Sequence, residues 1–279
     1  MKLTSFLVQG RTTYGVYNDG KIHPVSEEFQ QKYPDLASVF AGDALKEMQS
    51  ALLYGIEETE IEFLPLIPRP NKVIAIGLNY VSHIKETGRD APKYPIIFNR
   101  YANSQVGHLQ ALIRPKASDK LDFEGELGVV ISKTCRHVAK EDAESVIAGY
   151  CCFNDGSIRD FQRHTSQFGP GKSFYKSGSF GPYLVTPDEA PKPDDMVLTT
   201  RLNGNVMQHT GVDDLLFKVP DLIHYASTVT ELEPGDVIAT GTTGGVGLFR
   251  DPPVFMKPGD IVEVEITGLG ILKNTIEDE

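Results

Sequence analysis

Three acidic residues stand two positions apart in the stretch from Leu121 to Ser132. They are Asp122, Glu124 and Glu126, and an apolar run follows them directly. Side chains two positions apart on a β-strand point to the same face, so the three carboxylates would lie together. Buried like charges are costly unless a cation neutralises them, and hard ions such as Mg²⁺, Ca²⁺ or Mn²⁺ prefer oxygen ligands. The spacing predicts a divalent metal site and leaves one alternative open, an edge strand with a solvated acidic face.

A histidine and a glutamate lie three positions apart at His83 and Glu86, in a short predicted helix that Gly88 would end. Residues at this spacing share one helix face, so the imidazole and the carboxylate can meet. A carboxylate that orients an imidazole raises its basicity, which the activation of a water molecule requires. The alternative is an ordinary pair of polar residues on the helix surface.

Further candidate residues lie at predicted strand ends and in loops. Asp155 follows the apolar run 149–153, and we predict that it is either a third metal carboxylate or a helix N-cap. Lys172 lies in a glycine-rich loop whose backbone can approach a ligand, although a solvated loop lysine fits the same pattern. Arg100 follows a short predicted strand and is a candidate clamp for a substrate carboxylate.

The composition excludes several classes of function. The formal net charge is -11 and no Lys/Arg cluster stands out, which argues against a nucleic-acid partner. The first apolar run is too short for a signal peptide or a spanning helix, so we expect a cytoplasmic protein without a membrane partner. The three cysteines lack metal-site spacing, and we expect them to be reduced.

The elements that must position these residues are mostly short strands, and the pattern predicts a mixed, β-rich α+β fold. We predict strands near 72–77, 96–98, 149–153 and 237–241, helices near 36–53, 78–88, 141–148 and 221–229, and a final hairpin that pairs 261–266 with 270–276. Three prolines between residues 63 and 70 indicate an extended connector. We therefore predict a small N-terminal α+β domain over 1–66 and a catalytic domain over 67–279.

Six short motifs occur in an order that resembles the fumarylacetoacetate hydrolase family over about residues 68–279. The motifs are Gly77–Glu86, Asp122–Leu127, Asn154–Gln162, Gly171–Phe174, Asn203–Gln208 and Gly241–Gly247. The resemblance implies rolled, mixed β-sheets with a jelly-roll-like layer, and a homodimer as the usual assembly. It also implies a bound Mg²⁺, with Mn²⁺ or Ca²⁺ as possible replacements, and a small 2-oxo or 2,4-dioxo acid as substrate.

The resemblance also implies roles for residues at matching positions. The implied metal ligands are Glu124, Glu126 and Asp155, with Asp122 outside that set. The implied catalytic residues are His83, Glu86 and Lys172, the first two on a segment that acts as a lid in such enzymes. The candidate substrate-binding residues are Arg100, Tyr101, Arg159, Gln162, Gln208 and Thr242. The stretch 99–104 departs from the family pattern, which leaves the identity of the substrate open.

The activity implied by the resemblance is hydrolysis of the carbon–carbon bond of an acylpyruvate to pyruvate and a carboxylic acid. Glu86 would hold His83 as the general base for water, and Lys172 and Thr242 would stabilise the developing oxyanion. The same site could serve an oxaloacetate or β-keto acid decarboxylase, a tautomerase or a hydratase. A metal-binding protein without catalytic activity is a further alternative.

Overall fold

A computed structural model describes residues 1–279 of the chain. Its strands are β1 Lys2–Val8, β2 Arg11–Asn18, β3 Lys21–Pro24, β4 Glu62–Phe63, β5 Val73–Gly77, β6 Ile96–Arg100, β7 Gln105–Val106, β8 Leu112–Arg114, β9 Leu121–Asp122, β10 Gly125–Ile131, β11 Ile147–Asn154, β12 Ser157–Ile158, β13 Gly178–Val185, β14 Val197–Leu202, β15 Asn205–Gly211, β16 Val237–Thr242, β17 Ile261–Ile266 and β18 Gly270–Asp278. Its α-helices are α1 Glu27–Lys32, α2 Leu36–Ala41, α3 Leu45–Ser50, α4 Val81–Thr87, α5 Arg159–Gln162, α6 Gly169–Lys172 and α7 Val219–Val229. None of these helices has the length and apolar character that crossing a membrane would require.

The largest sheet has eleven strands and forms the centre of the molecule. Its main order is β3, β2, β1, β13, β11, β10, β16, β5 and β6, with β4 beside β1 and β7 beside β13. Strand β16 is antiparallel to β10 and parallel to β5, so the sheet is mixed. The mixed, β-rich α+β fold predicted from the sequence is confirmed.

Strand β10 is covered on both faces, as its apolar sequence predicts. Leu127, Val129 and Ile131 lie in a core cluster of 31 buried residues, which also contains side chains from α7 and the second sheet. Val130 points the other way, into a cluster of 22 buried residues that includes side chains from α1, α2 and α3. This alternation follows from the two-residue period of a strand. Because both faces of β10 are packed, its acidic end is held rigidly.

The second sheet has five strands in the order β15, β14, β17, β18 and β8. Its β17–β18 hairpin pairs Ile266 with Gly270, which confirms the predicted hairpin at the end of the chain. Leu198, Val264 and Leu272 of this sheet pack into the same 31-residue cluster as β10. The two sheets therefore share one core, and β14 and β15 lie over the acidic end of β10.

Strand β1 makes the N-terminal region part of the large sheet. It pairs with β13, and Leu3 lies opposite Leu184. The helix predicted near 36–53 is two short helices, because the Asp35 side chain caps α2 and Gly42 ends it. The helix predicted near 141–148 is a 3₁₀ helix over Lys140–Val146 that runs straight into β11. The predicted domain division after residue 66 stays a prediction.

Candidate metal centre and active site

The pairing of β10 with β11 brings the predicted metal ligands together. The two strands are antiparallel with Gly125 opposite Asn154, so the residues just outside that pair, Glu124 and Asp155, are neighbours. The Asp155 N–H donates to the Glu124 carbonyl oxygen at 2.8 Å, which fixes this junction. Glu126 is the second residue of β10, and its side chain lies on the same side of the chain as that of Glu124. Strand register therefore determines the geometry of the cluster.

The carboxylates of Glu124, Glu126 and Asp155 form a compact and buried cluster. One oxygen from each lies within 4.8 Å of the other two. Their residues are 5%, 1% and 0% exposed, so water does little to screen their charges. An all-oxygen set of this kind is suited to a hard divalent cation rather than to zinc.

Three basic side chains neutralise part of this cluster. Lys172 Nζ lies 2.6 Å from both Glu124 Oε2 and Asp155 Oδ2. Arg159 Nη1 lies 2.6 Å from Glu124 Oε1, and Arg100 Nη1 pairs with Asp155 Oδ1. Burial alone would raise the pKa of Glu124, but Lys172 and Arg159 lower it below its usual value. Glu124 is therefore ionised throughout the neutral range.

The third carboxylate of the cluster, that of Glu126, forms no ion pair with a basic side chain. Its Oε2 accepts a hydrogen bond from the Gly241 N–H at 2.9 Å. Burial, followed by the negative charges of Asp155 and Glu124, raises the pKa of Glu126 well above its usual value. One carboxylate of the cluster thus lacks a counter-charge, and a bound cation would supply it. The residues present fit a divalent metal on this ground.

Asp122 lies outside the cluster and organises the parts around it. It ends β9, separated from β10 by Phe123 and Glu124, so the acidic stretch is a broken strand. Its side chain accepts hydrogen bonds from the N–H groups of Gly247 and Leu248, each at 2.9 Å. Arg159 Nε donates to the same carboxylate at 2.7 Å. Asp122 therefore connects the glycine-rich loop after β16 to the arginine that neutralises Glu124.

Helix α4 carries the predicted His–Glu pair. His83 Nδ1 lies 3.0 Å from Glu86 Oε2, as the spacing of three predicts. The other carboxylate oxygen, Glu86 Oε1, accepts the Gly245 N–H at 2.9 Å. The helix that carries the pair ends at Gly88, which adopts a positive φ of 67°. This arrangement assigns the Nδ1 proton of a neutral His83 to the bond with Glu86 and leaves Nε2 as an acceptor.

A cavity of about 480 Å³ is lined by Glu124 of the metal cluster and by His83 of the His–Glu pair, while Glu86, Glu126 and Asp155 lie outside its lining. Six of the predicted site residues line it, namely His83, Glu124, Arg159, Gln162, Lys172 and Thr242. Its apolar wall consists of Ile76, Leu78, Phe98, Phe168, Leu248 and Phe249. Two arginines that the sequence interpretation missed, Arg89 and Arg163, also line it. The sequence could have indicated them, because Arg89 follows the segment with His83 and Glu86, and Arg163 directly follows the motif that ends at Gln162.

Three predicted substrate contacts, Arg100, Tyr101 and Gln208, lie outside the cavity lining. Arg100 is 3% exposed and outside the cavity lining, and its guanidinium group donates to Asp155, the Gly156 carbonyl and Ser177. The prediction of Arg100 as a clamp for a substrate carboxylate is corrected, because its donors already hold Asp155. Tyr101 is 68% exposed on the outer surface and does not line the cavity either.

Gln208 and Thr242 form a buried hydrogen-bonded pair that limits what Thr242 can do. Gln208 Nε2 donates to Thr242 Oγ1 at 2.8 Å, and Thr242 Oγ1 donates its proton to the Gly125 carbonyl at 2.9 Å. A hydroxyl has one proton to donate, so Thr242 in this arrangement can only accept from a ligand. The structure does not support its predicted role as an oxyanion donor. Gln208 is outside the cavity lining and holds Thr242 and the Gly125 N–H in position.

Arg159 and Gln162 lie side by side at the buried end of the cavity. Arg159 Nη1 donates to Gln162 Oε1 at 2.9 Å, which leaves the Gln162 amide N–H groups free to donate. Arg159 Nη2 lies 2.7 Å from Asp122 Oδ2 but makes no hydrogen bond of suitable direction, although it is buried. This atom has almost no exposed surface, so its partner is the Asp122 carboxylate rather than a ligand in the cavity.

Comparison with known proteins gives consistent matches. Residues 72–277 match the family model for the C-terminal part of fumarylacetoacetate (FAA) hydrolase. A human mitochondrial oxaloacetate tautomerase is 42% identical over 229 residues, 81% of this chain and 73% of that protein. A fumarylacetoacetate hydrolase structure from Exiguobacterium antarcticum is 33% identical, with a TM-score of 0.88 over 100% of both chains. A Sphingobium maleylpyruvate hydrolase, solved with manganese(II) and pyruvate, is 25% identical, with a TM-score of 0.81 over 100% of this chain and 99% of that one.

Proposed function

The chain belongs to the fumarylacetoacetate hydrolase family, and we propose that it is a divalent-metal-dependent hydrolase of acylpyruvates. In this reaction water adds across a carbon–carbon bond of a 2,4-dioxo acid, giving pyruvate and a carboxylic acid. The observation that carries the proposal is the position of His83. His83 lines the same cavity as Glu124 of the carboxylate cluster, while Glu86 holds the His83 Nδ1.

The residues that would hold the ion are Glu124, Glu126 and Asp155. A divalent cation bound there would act as a Lewis acid on the 2-oxo acid group and stabilise negative charge on its oxygens. The unneutralised Glu126 carboxylate supports this assignment. A further support is the Sphingobium maleylpyruvate hydrolase, whose structure contains manganese(II) and pyruvate.

His83 would be the general base. With Nδ1 donating to Glu86, Nε2 can accept a proton from a water molecule in the cavity. The water oxygen bonds to the distal carbonyl carbon, and the carbon–carbon bond electrons pass to the pyruvate fragment as its enolate. His83 then returns the proton to the enolate carbon. Glu86 stabilises the imidazolium between the two transfers, since its carboxylate remains bonded to Nδ1.

Lys172, Arg159 and Gln162 would bind and orient the substrate. Lys172 uses two of its three N–H donors on Glu124 and Asp155, so one remains for a substrate oxygen. The Gln162 amide offers further donors at the same end of the cavity, whose wall also includes Arg159. Preorganised hydrogen-bond donors stabilise the negative charge that develops in the transition state. Each contributes roughly 3 kcal/mol in a site that excludes water.

A second candidate function is oxaloacetate tautomerisation. It is favoured by the relative that is 42% identical, which is named an oxaloacetate tautomerase. His83 would serve this reaction too, by removing a proton from the carbon next to the 2-oxo group and returning it. The cavity of about 480 Å³ has room for either acid, so its volume does not separate the two candidates.

A turnover assay with added Mg²⁺ separates the two candidates. Acetylpyruvate, fumarylpyruvate and oxaloacetate are each incubated with the protein, and the products are identified. We expect pyruvate and a carboxylic acid from the acylpyruvates, with loss of the rate in the presence of a chelator. Enol–keto exchange of oxaloacetate without any acylpyruvate cleavage would instead establish the tautomerase. Magnesium as the ion, a homodimer and a cytoplasmic location stay predictions.

A further inference from the structure

The glycine-rich segment after β16 contacts both members of the His–Glu pair. The Gly245 N–H donates to Glu86 Oε1 at 2.9 Å. The Phe249 ring packs edge-on against the His83 imidazole, with ring centroids 6.0 Å apart and an interplanar angle of 63°. The orientation of both side chains therefore depends on where residues 245–249 lie.

Arg250 follows this segment directly and connects it to the second sheet. Its Nη2 donates to the Met207 carbonyl oxygen of β15 at 2.5 Å, and its Nε donates to the Gly245 carbonyl oxygen at 3.2 Å. A guanidinium group is planar and its donors form a rigid fork, so one side chain bridges two carbonyl oxygens from different segments. Gly245 is thus held through its carbonyl by Arg250, while its N–H holds Glu86.

Gly245 lies directly against β15 at this bridge. Its φ of 98° is in the left-handed region, and a Cβ at this position would come within 2.2 Å of the Met207 carbonyl oxygen. Only glycine allows such a close approach. Because the segment and the strand are in contact here, a change in the Arg250 bridge would also move the Gly245 N–H.

Arg250 is not part of the cavity wall. Its side chain is half-buried and outside the cavity lining, and both of its hydrogen bonds go to backbone carbonyl oxygens rather than to a carboxylate. An effect of Arg250 on the reaction must therefore pass through residues 245–249 and the side chains that they contact.

We propose that Arg250 is a positioning residue for the general base, His83. By fixing Gly245, it keeps Glu86 Oε1 bonded to the Gly245 N–H, so that Glu86 Oε2 stays directed at His83 Nδ1. The proton of the neutral imidazole then stays on Nδ1, and Nε2 stays free to accept a proton from water. The inference rests on the proposed function, because His83 is the base of that reaction.

Nuclear magnetic resonance of the protein with ¹⁵N-labelled histidine tests the inference without turnover. The ring signals of His83 are those that disappear in His83→Ala. In the unmodified protein we expect neutral His83 to be almost entirely the Nδ1–H tautomer. In Arg250→Gln we expect a mixture of the two tautomers, because Glu86 is no longer held against Nδ1. An unchanged Nδ1–H tautomer in this variant would overturn the inference.

The steady-state constants of the Mg²⁺-loaded protein give a second measurement. In Arg250→Gln the kcat for acylpyruvate cleavage should fall between about 10-fold and 100-fold, the effect expected when a catalytic group is misplaced. KM should stay unchanged, because Arg250 is outside the cavity lining. A rise in KM without a fall in kcat would indicate a role in substrate binding and would overturn the inference.

Arg250→Lys separates the bridge from the positive charge. Lysine keeps the charge but offers one ammonium group in place of the planar fork, so we expect most of the loss seen in Arg250→Gln. This variant also replaces Arg250→Gln in both measurements if the latter does not fold. A lysine variant with the kcat and the tautomer of the unmodified protein would refute the bridge between the two carbonyl oxygens.

Arg136→Gln is the matched control. Arg136 is exposed and outside the cavity lining, and its Nη2 also donates to a backbone carbonyl oxygen, that of Thr228. Both kcat and the His83 tautomer should stay unchanged in this variant. Equal losses in Arg136→Gln and Arg250→Gln would show a general effect of losing an arginine and would overturn the inference.

Two outcomes separate this inference from the proposed function. If no acylpyruvate is cleaved while Arg250→Gln loses the Nδ1–H tautomer of His83, the hydrolase proposal fails and the positioning role stands. If acylpyruvates are cleaved while Arg250→Gln changes neither the tautomer nor kcat, the hydrolase proposal stands and the positioning role fails.

Discussion

Glu126 accepts a hydrogen bond from the Gly241 N–H at 2.9 Å and has no basic partner. Glu126→Gln keeps an acceptor for this N–H and removes the unneutralised charge. We expect two opposite effects from this change. The metal-free protein should unfold about 3 °C higher, corresponding to about 1 kcal/mol, because the folded protein no longer has to protonate Glu126 or keep its charge beside Asp155 and Glu124.

The same variant should bind Mn²⁺ at least about 100-fold more weakly, since a ligand is lost rather than a residue that merely supports one. Thermal unfolding without metal and calorimetric titration with Mn²⁺ check the two effects. Glu277→Gln provides the control, because Glu277 is exposed and forms no salt bridge. Unchanged Mn²⁺ affinity in Glu126→Gln would rule out the carboxylate cluster as the metal site.

Asp122→Asn should destabilise the fold and the substrate site together. The change removes the charge that pairs with Arg159 and gives the loop N–H groups of Gly247 and Leu248 a poorer acceptor. We expect the free energy of unfolding, measured in urea, to fall by about 3 kcal/mol. This is near the lower limit for breaking a buried ion pair, because Glu124 still pairs with Arg159.

Asp278→Asn is the comparison for this prediction, since it breaks the exposed pair with Arg114. Its effect should stay below about 1 kcal/mol. In the Asp122 variant KM should also rise, because Arg159 and Leu248 both line the cavity. A destabilisation no greater than that of Asp278→Asn would refute the organising role of Asp122.

His83→Ala should abolish general-base catalysis and leave metal binding intact. The imidazole contacts Glu86 rather than the carboxylates of the cluster, so the Mn²⁺ affinity should stay within about twofold. The rate constant for acylpyruvate cleavage should fall about 10²- to 10⁴-fold, the usual contribution of a positioned base. Single-turnover kinetics with saturating Mg²⁺ measure this fall. Cleavage at the unmodified rate would exclude the His–Glu pair from the chemistry.

His108 gives the protein a defined sensitivity to acid. Burial, with a smaller contribution from the Lys273 ammonium group, lowers the pKa of His108 from 6.5 to about 4. The unfolded chain therefore binds a proton between pH 6.5 and pH 4 that the folded protein does not. Stability from this residue is complete above pH 6.5 and falls as the pH drops to 4, by at most about 3 kcal/mol.

His108→Asn removes this titration, so its stability should depend less on pH over the same interval. Urea unfolding of both proteins at pH 7, 5.5 and 4 measures the difference. Identical pH profiles would mean that His108 titrates normally in the folded protein.

The spacing of the acidic residues was only partly sufficient to predict which of them meet, because it also placed Asp122 with Glu124 and Glu126, and the strand breaks between Asp122 and Gly125. Glu124 and Glu126 are adjacent on one face because of the strand period, and Asp155 was identified by its position at the end of an apolar strand. His83 and Glu86 meet through helix periodicity alone. These relationships are local, or depend on one strand pairing, and their geometry follows from the backbone.

Arg100 and Thr242 could not be interpreted from the sequence because their partners are remote. Arg100 reaches Asp155, 55 positions later in the chain, and Thr242 is held by Gln208, 34 positions earlier. Whether a polar group is free for a ligand depends on such long-range hydrogen bonds, which residue types and spacing do not reveal. The positions of Arg89 and Arg163 after motif segments were visible in the sequence, but the lack of partners for their guanidinium groups is a tertiary property.

The location of β16 between β10 and β5 has a consequence for how the protein is made. Strands β5 and β6 leave the ribosome early, but their attachment to the sheet waits for residues 237–242. A two-stranded ribbon is marginal in water by itself, and the apolar edge of β5 stays unpaired through most of translation. Until β16 is made, residues 73–77 present an unpaired apolar strand edge, and the same is true of the edge of β10 that pairs with β16.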